Sequence, residues 1–341
     1  MSSYLTNTTF YEIINKDTLD ALYYEAKNKV AEEDFLNQSR LKNSPIDHEL
    51  ASLKRVRETI VLKDDNYVIP VNYVFSKNTP GLGRIYPLNS TALITMKRDT
   101  RIKLAGEYYY DIDIVNCHPS ILIHYAKMIG LPCENLCSYV NNREEWLAKN
   151  KISRELSKEL YLRMIFTGKV RSFCIDRDVD INNIHEDVFK FENELRNLST
   201  KLMESPELRF FYTKVKNSGR SNVIASSLSL FLQDTERMIL ELIVNEYKKL
   251  YPDGYQYLSL QYDGIMIRKD YFDKEMLLKI EAKILEVYGI NIRLSIKQHN
   301  TDSIYKKIKE TIKNYEKPIL IGIGAALTVA IKSFFNWKCI C

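Results

Sequence analysis

Glycine and proline are both scarce in this sequence of 341 residues, with 11 and 9 copies respectively. Their scarcity excludes a collagen-like or linker-rich chain and argues against an all-β fold with many turns. Six cysteines are too few for a disulfide scaffold in a chain of this length. The first residues also lack the basic-then-apolar build of a signal peptide. We therefore expect a reducing compartment.

A large excess of positive charge is also lacking, because 49 Lys and Arg face 44 Asp and Glu, a net charge of +5. A protein that wraps nucleic acid by electrostatics alone would be more basic, whereas an enzyme with one basic cleft need not be. Hydrophobic residues make up 45% of the chain, which is enough for a packed core. The length predicts two compact domains, or one large domain with an appendage.

The spacing of apolar residues predicts a mixture of helices and strands. Residues 11–60 have a mostly helical pattern with a break at Pro45, and β-branched runs over 61–75 are typical of strands. Residues 108–114 have high β propensity, and Pro119 lies near the first turn of the helix that follows. The later predictions are helices over 142–168, 185–204, 222–250 and 272–288, a hairpin over 255–267 with Asp263-Gly264 as its turn, and a strand over 290–297.

Three aspartates lie within, or at the end of, apolar strand-like runs: Asp111, Asp113 and Asp263. A charge in such a place is costly unless it is paired or binds a metal. Alternation along a strand puts Asp111 and Asp113 on one face, and Asp263 at the tip of a hairpin could meet them across a sheet. Converging carboxylates are what two Mg²⁺ ions need for in-line phosphoryl or nucleotidyl transfer. The simpler alternative is that Asp111 caps a strand and Asp263 belongs to an ordinary Asp-Gly turn.

The residues around two of these aspartates resemble the palm motifs of DNA polymerases. Asp113-Ile-Val-Asn-Cys-His-Pro-Ser-Ile resembles the first palm motif of replicative polymerases. Leu260-Gln-Tyr-Asp-Gly resembles the second catalytic motif of family A, with Tyr262 in place of His and Gly264 in place of Glu. Both aspartates thus fall at positions that correspond to acidic residues in the motifs.

Three further segments resemble family A and occur in the same order along the chain. Arg154-x3-Lys158-x3-Leu-x3-Phe-Thr-Gly is similar to the fingers helix, although Leu162 and Phe166 replace its aromatic residue and its tyrosine. Gln233-Asp-Thr-Glu-Arg is similar to the palm helix that contacts the primer–template, and Gly-Arg84 with its downstream arginines is similar to the segment before the first motif. The chain therefore resembles a divergent family-A-like polymerase of the minimal type carried by viruses or mobile elements.

The resemblance implies a catalytic site with two Mg²⁺ ions, for which Mn²⁺ is an alternative. Asp113 and Asp263 would be the catalytic residues and metal ligands, with the backbone carbonyl of Ile114 as a further ligand. Asp111 would act either indirectly or as an alternative carboxylate. The residues that the resemblance assigns to the primer–template are Arg84, Arg98, Arg101, Gln233 and Tyr262.

The resemblance also implies a nucleotide site. Arg154 and Lys158 would present their charges to the triphosphate from one helix face, and Phe166 would offer a flat face to the incoming base with Leu162 beneath it. His118 would exclude a 2′-hydroxyl and so favour deoxynucleotides. The alternatives are a solvated basic face for the two cations, core packing for the two apolar residues and a structural role for the histidine.

The predicted fold is α+β and mostly helical: a right-hand polymerase with an antiparallel palm sheet, helical fingers and a reduced thumb. Its predicted parts are a helical, thumb-like region over 1–75, palm and fingers over 76–300 with the fingers near 140–220, a basic amphipathic linker over 301–317 and a hydrophobic tail over 318–341.

The predicted function is a DNA polymerase without proofreading exonuclease, which extends a nucleic-acid primer with dNTPs in the replication of a viral or mobile-element genome. Viral replication proteins are its predicted partners. One alternative is an RNA polymerase or primase-like enzyme on the same palm. The other is a catalytically inactive replication scaffold that binds nucleic acid.

Two other features support predictions of their own. Cys133 and Cys137, with Cys117 and His118 nearby, could be zinc ligands, but their spacing favours buried thiols. Residues 318–331 lack charge, and a helix continued to Trp337 would be long enough to span a bilayer. We therefore expect a membrane anchor on the cytosolic face, the alternative being a buried terminal helix of a cytoplasmic protein.

Overall fold

The computed structural model describes residues 3–36 and 44–297. Within these residues, helices predominate and every strand pairing is antiparallel. The α+β class and the mostly helical character predicted from the sequence are thus confirmed.

Two antiparallel sheets are built from strands that lie far apart in the sequence. The strands of the described chain are β1 (Thr9–Ile13), β2 (Val61–Lys63), β3 (Asn66–Phe75), β4 (Ile85–Pro87), β5 (Tyr109–Val115), β6 (Ser259–Gln261), β7 (Gly264–Arg268) and β8 (Arg293–Ile296). The first sheet has the order β1-β3-β2, with β4 also paired to β3. The second sheet has the order β6-β7-β5-β8, so β5 is an inner strand.

The helices fill most of the remaining chain. They are α1 (Lys16–Leu36), α2 (Pro45–Thr59), α3 (Arg98–Ala105), α4 (Cys117–Met128), α5 (Glu134–Asn141), α6 (Arg143–Ala148), α7 (Arg154–Ile165), α8 (Val170–Asp176), α9 (Glu186–Glu204), α10 (Pro206–Lys216), α11 (Val223–Leu250) and α12 (Lys274–Tyr288).

Local sequence accounts for several element boundaries. Pro45 occupies the first turn of α2, where its missing N–H costs nothing, and Ser44 and Asp47 cap that helix reciprocally. The β2–β3 hairpin turns through Asp64 and Asp65, both with positive φ, as the tight turn between two antiparallel strands requires.

A buried carboxyl group joins the two sheets. Glu12 on β1 accepts hydrogen bonds of 2.6 Å from the Ser259 hydroxyl on β6 and from the backbone N–H of Leu93. The Tyr109 hydroxyl adds a second link, since it accepts from the N–H of Ile13 and donates to the carbonyl of Tyr257, each at 2.8 Å. These bonds fix strand β5 relative to the first sheet.

A second packing centre lies among the helices. Tyr139, Trp146, Tyr161 and Phe191 come from α5, α6, α7 and α9, and all four are buried. Their ring centroids lie between 4.8 and 6.5 Å apart. Contacts of this kind add to the hydrophobic gain from burying four large rings, so this centre fixes the position of α7.

Two details of the sequence-based prediction need correction. The region over 11–60 is less uniformly helical than predicted, because it begins within β1, whose buried Glu12 obscures its strand pattern. The second hairpin turns at Tyr262-Asp263 rather than at Asp263-Gly264, because Gln261 pairs directly with Gly264.

The predicted linker over 301–317 and the predicted membrane tail over 318–341 lie outside the described residues. Across residues 3–36 and 44–297, none of the helices combines the length and the apolar character needed to cross a membrane. The membrane as a predicted partner therefore has no support from the described chain and is withdrawn.

Candidate functional site

Strand β5 carries Asp111 and Asp113 on one face of the second sheet. The backbone N–H and C=O groups of Ile112 and Ile114 point toward β7. Those of Asp111 and Asp113 point toward β8. Since successive side chains alternate, the two aspartates point to the same face, as predicted.

The hairpin between β6 and β7 brings Asp263 beside Asp113. The N–H of Ile114 donates a 2.8 Å hydrogen bond to the carbonyl of Asp263, and Asp113 is directly opposite Gly264 in the strand register. The N–H and C=O of one strand residue point to the same side. The Ile114 carbonyl, predicted as a metal ligand, is therefore also directed toward the hairpin.

Gly264 is required by the closeness of this pairing. A Cβ atom at residue 264 would lie 2.2 Å from the carbonyl oxygen of Ile112, a backbone atom that cannot move aside cheaply. No side chain fits there, so the glutamate that occupies this place in the family-A motif could not be accommodated without a shift of the hairpin.

Asp113 is surrounded by charge of both signs. Burial raises the pKa of its carboxyl group, and the nearby Asp263 and Asp111 raise it further. The Lys297 ammonium lies 2.8 Å from Oδ1 of Asp113 and acts in the opposite direction. The two aspartates thus form an acidic pair that is only partly neutralised by one lysine.

Asp111 lies deeper in the protein than Asp113. Its carboxylate is almost fully buried and its Oδ2 lies 4.0 Å from the guanidinium of Arg101. The Asp111 carbonyl also accepts a 2.8 Å bond from the N–H of Lys297. Arg101, predicted to contact the primer–template, faces this buried carboxylate, while Arg98, one turn of helix earlier, is exposed.

A buried ion cluster adjoins the acidic pair. Arg84 forms a bidentate pair with Glu236, with bonds of 2.6 and 3.0 Å, and His118 Nε2 lies 3.2 Å from the same carboxylate. Burial would raise the pKa of Glu236, but His118 and Arg84 together outweigh burial and hold it below its ordinary value. Glu236 is therefore an anion that holds the Arg84 guanidinium and the His118 imidazole in position.

Aromatic rings surround this cluster. The Arg84 guanidinium lies 4.7 Å from the ring centroid of Tyr262, and the Tyr86 ring meets Tyr262 edge-on at 5.7 Å. The Phe166 ring packs edge-on against His118 at 5.4 Å. The structure thus brings together the predicted residues Arg84, His118, Phe166 and Tyr262.

The thiol of Cys117 links the cluster to the acidic pair. Burial raises its pKa well above the ordinary value, and the negative charges of Glu236, Asp263 and Asp113 contribute in that order. The thiol of Cys117 therefore lies in the combined negative field of the three acids.

Gln233 lies beside the loop that positions Arg84. The N–H of Gly83 donates a 2.8 Å bond to Asp234, and Gln233 Oε1 is 3.8 Å from where a Gly83 Cβ would stand. Arg237 pairs with Asp234 at 3.0 Å and with Glu241 at 2.8 Å. The polar residues of α11 thus hold the Gly83-Arg84 segment in place.

The predicted cations of α7, Arg154 and Lys158, are both exposed. Arg154 forms a bidentate pair with the exposed Glu144, with bonds of 2.7 and 2.8 Å, so its fork is already occupied. Lys158 is exposed, and Leu162 is 50% exposed rather than packed in the core. Phe166, at the end of this stripe, contacts the cluster around Glu236 through the His118 ring.

The thiols of Cys133 and Cys137 lie close together. The Sγ atoms of Cys133 and Cys137 are 3.7 Å apart, and burial raises the pKa of Cys133 to about 12. In the described part of the chain, no group of three or more His, Cys, Asp or Glu side chains is arranged to hold a metal ion.

Sequence reasoning assigned no role to Glu236 or Lys297. The one signal for Glu236 was its place in Gln233-Asp-Thr-Glu-Arg, the polar segment of α11 that resembles the palm helix. Lys297 had no comparable signal, since it reaches Asp113 only through the register of β8 on β5.

A comparison with known proteins gives one informative relative. No family model matches the chain. Over 268 residues the chain is 26% identical to a protein of Sputnik virophage named "Putative helicase V13". The match covers 75% of this chain but only 31% of that protein, so the chain spans about a third of the relative's length.

The relative contradicts the predicted function. A helicase is a different class of enzyme from a DNA polymerase, so the predicted nucleotidyl transfer and the predicted dNTP partners are wrong on this finding. Since no family model matches, the resemblance to family-A motifs is not tested and stays a prediction.

Proposed function

We propose that this chain is the nucleic-acid-binding part of a viral helicase, and that Asp113 and Asp263 would hold a divalent cation, which would supply attraction for a phosphate of the strand. The helicase name of the virophage relative supports the first half of the proposal. The acidic pair, joined by the bond from Ile114 to Asp263, supports the second half and is the observation that carries it.

The residues fit a magnesium ion. Mg²⁺ is usually held by one or two carboxylates together with phosphate oxygens and water, rather than by a full cage of protein ligands. The Lys297 ammonium already lies at hydrogen-bond distance from Asp113, and the like charge of Asp263 raises the pKa of Asp113. Both facts indicate that this point favours positive charge. The cation would supply electrostatic attraction for a phosphate.

The neighbouring cluster supplies groups suited to a strand. Tyr262 presents an aromatic ring beside Arg84, and rings of this kind stack on nucleobases without regard to sequence. Glu236 holds Arg84 by two hydrogen bonds and so fixes its orientation without a loss of side-chain entropy on binding. Arg84 is therefore preorganised.

The proposal is confined to strand and cation binding. The phosphate-binding pattern GxxxxGK followed by Ser or Thr, which marks one large class of NTPases, does not occur in the 341 residues. The chain also corresponds to about a third of the relative. Hydrolysis and unwinding are therefore not assigned to this chain.

We also propose that the second sheet is a palm-like platform within a right-hand arrangement. Its support is topological: an acid on inner strand β5 and another at the tip of the adjoining β6–β7 hairpin, with α7 carrying Phe166 to the same centre. The helices near 140–220 would then be fingers-like and residues 1–75 thumb-like. This proposal concerns architecture alone.

The test measures strand binding with and without the cation. Fluorescence anisotropy with a labelled dT20 oligonucleotide would be recorded in Mg²⁺ and in its absence, at constant ionic strength. We expect Mg²⁺ to tighten binding about ten-fold, or ~1.4 kcal/mol. The double variant Asp113→Asn with Asp263→Asn should lose this response.

The matched control removes two acids elsewhere. Asp178→Asn with Asp253→Asn changes two exposed residues and leaves the same net charge as the test variant. It should keep the full response to Mg²⁺. An equal loss in both double variants would mean that overall charge, not the acidic pair, causes the effect, and the cation site would be rejected.

A further inference from the structure

A groove of about 640 Å³ opens at the end of α10. Its lining includes the cations Lys214 and Arg220, the amides Asn78 and Asn217, and an apolar floor at Leu230. Cations and amides above an apolar floor suit a ligand that has both phosphates and flat apolar surfaces. No residue of this groove belongs to the site described above.

The cations of the groove are not used by the fold. Residues 206–222 contain four basic side chains and one acidic one. Lys214, Lys216 and Arg220 form no ion pair with another described residue. On the preceding helix, by contrast, Arg196 pairs with Glu192, and Lys201 pairs with Glu204. The positive charge at the groove is thus available to an anion.

An exposed aromatic ring lies beside these charges. Phe210 is 57% exposed although it is among the most apolar residues. It precedes Lys214 by four residues in α10, so both side chains lie on the same face of the helix. A ring next to a basic groove is the combination with which proteins bind single strands: cations follow the backbone and rings stack on the bases.

The groove adjoins the loop that carries Arg84. Leu230 lines the groove, and its Cδ1 lies 3.0 Å from where a Cβ of Gly83 would stand. Gly83 has a φ of +77°, which a side chain would strain, so its lack of a Cβ lets the loop pass close over Leu230. The Arg84 guanidinium, one residue on, enters the cluster beside Tyr262.

We propose that this groove binds the backbone of single-stranded nucleic acid and leads it over the Gly83-Arg84 loop toward Asp113 and Asp263. Lys214 and Arg220 contact phosphates, and Phe210 stacks on a base at the outer end. The inference rests on the proposed function, because it extends the path of the same strand.

The experiment measures the salt dependence of binding to labelled dT20 and U20. Each phosphate contact on a single strand contributes about 0.7 to the slope of log affinity against log salt. Lys214→Ala with Arg220→Ala should therefore lower the slope by about 1.4 and weaken binding at low salt. Phe210→Ala should weaken binding about five-fold and leave the slope unchanged, because a ring carries no charge.

The control is Lys274→Ala with Lys279→Ala, which removes two exposed cations from α12. If it lowers the slope as much as the groove variant, the effect is one of net charge and the groove is wrong. If the wild-type chain binds neither oligonucleotide, the proposed function itself fails.

Equal losses by Phe210→Ala on dT20 and on a 20-base-pair duplex would overturn the single-strand assignment, because bases in a duplex cannot stack on the ring. Binding of dT20 but not U20, or the reverse, would identify the strand as DNA or RNA.

Discussion

Two acidic centres, one in each sheet, show how differently a fold can treat the same chemical group. Glu12 in the first sheet is fully buried, and neutral donors, a hydroxyl and a backbone N–H, satisfy its oxygens. Asp113 in the second sheet is only partly buried and faces a lysine and a second acid. Burial raises the pKa of both carboxyl groups.

The difference lies in what surrounds each acid. Around Glu12 every partner is part of the sheet junction, so no further group can enter. Around Asp113 the partner is a long, flexible lysine side chain that another cation can displace. A perturbed pKa alone therefore does not identify a functional site, and the kind of partner, neutral backbone and hydroxyl groups or an ammonium, separates the two cases.

The largest expected effect comes from adding a side chain at Gly264, where β7 lies against β5. Gly264→Ala would place a Cβ against the Ile112 carbonyl and separate β7 from β5. We expect a loss of about 3 kcal/mol in the free energy of unfolding, measured with urea. The control is Gly130→Ala, where the φ is +70° but nothing lies within 4 Å of the added atom. Only the strain of the left-handed backbone applies there, at about 1 kcal/mol.

The Glu12 centre should make stability depend on pH. Burial raises the pKa of Glu12 from 4.5 to about 7, so the folded chain holds a proton that the unfolded chain releases. The resulting stabilisation is complete below pH 4.5 and is lost as the pH rises through 7. We expect up to about 3 kcal/mol of difference between wild type and Glu12→Gln across this range, measured by urea unfolding. A constant difference from low to high pH would contradict a protonated Glu12.

The smallest expected effect concerns Lys297. Its ammonium competes for the position where we propose a cation, so Lys297→Met should tighten the binding of Mg²⁺ by the isolated chain. Relief of about 1 kcal/mol of charge repulsion, the value in water-like surroundings, corresponds to about a five-fold gain. Isothermal titration calorimetry would measure it. Weaker binding in the variant would show that Lys297 positions Asp113 for the ion rather than competing with it.

Much of the fold could be predicted because the signals were local. Apolar spacing predicted α9, α11 and α12, and β propensity predicted β5. The meeting of Asp113 with Asp263 also followed from local signals, a strand and a hairpin tip. Strand β1 escaped prediction because its pattern contains Glu12, which reads as polar but is fully buried.

What could not be predicted depended on tertiary pairing. The role of Lys297 requires β8 to lie beside β5, and the role of Glu236 requires α11 to carry it beneath Arg84. Spacing on α7 predicted that Arg154 and Lys158 share a face, but Glu144 from α6 occupies Arg154. Sequence spacing determines which side chains share a face of a helix. It does not determine which side chains from other elements pair with them.

The pairing of β5 also determines when the site can form during synthesis. Strand β5 ends at Val115, yet its two neighbours are β7 and β8, which begin at Gly264 and Arg293. A ribosome must therefore add about 180 residues after β5 before that strand has both neighbours, and contacts so distant in sequence form slowly. Both edges of the strand that carries Asp113 stay open until β7 is made, and one edge stays open until β8 follows, so nascent chains of this protein are where assistance from chaperones would matter most.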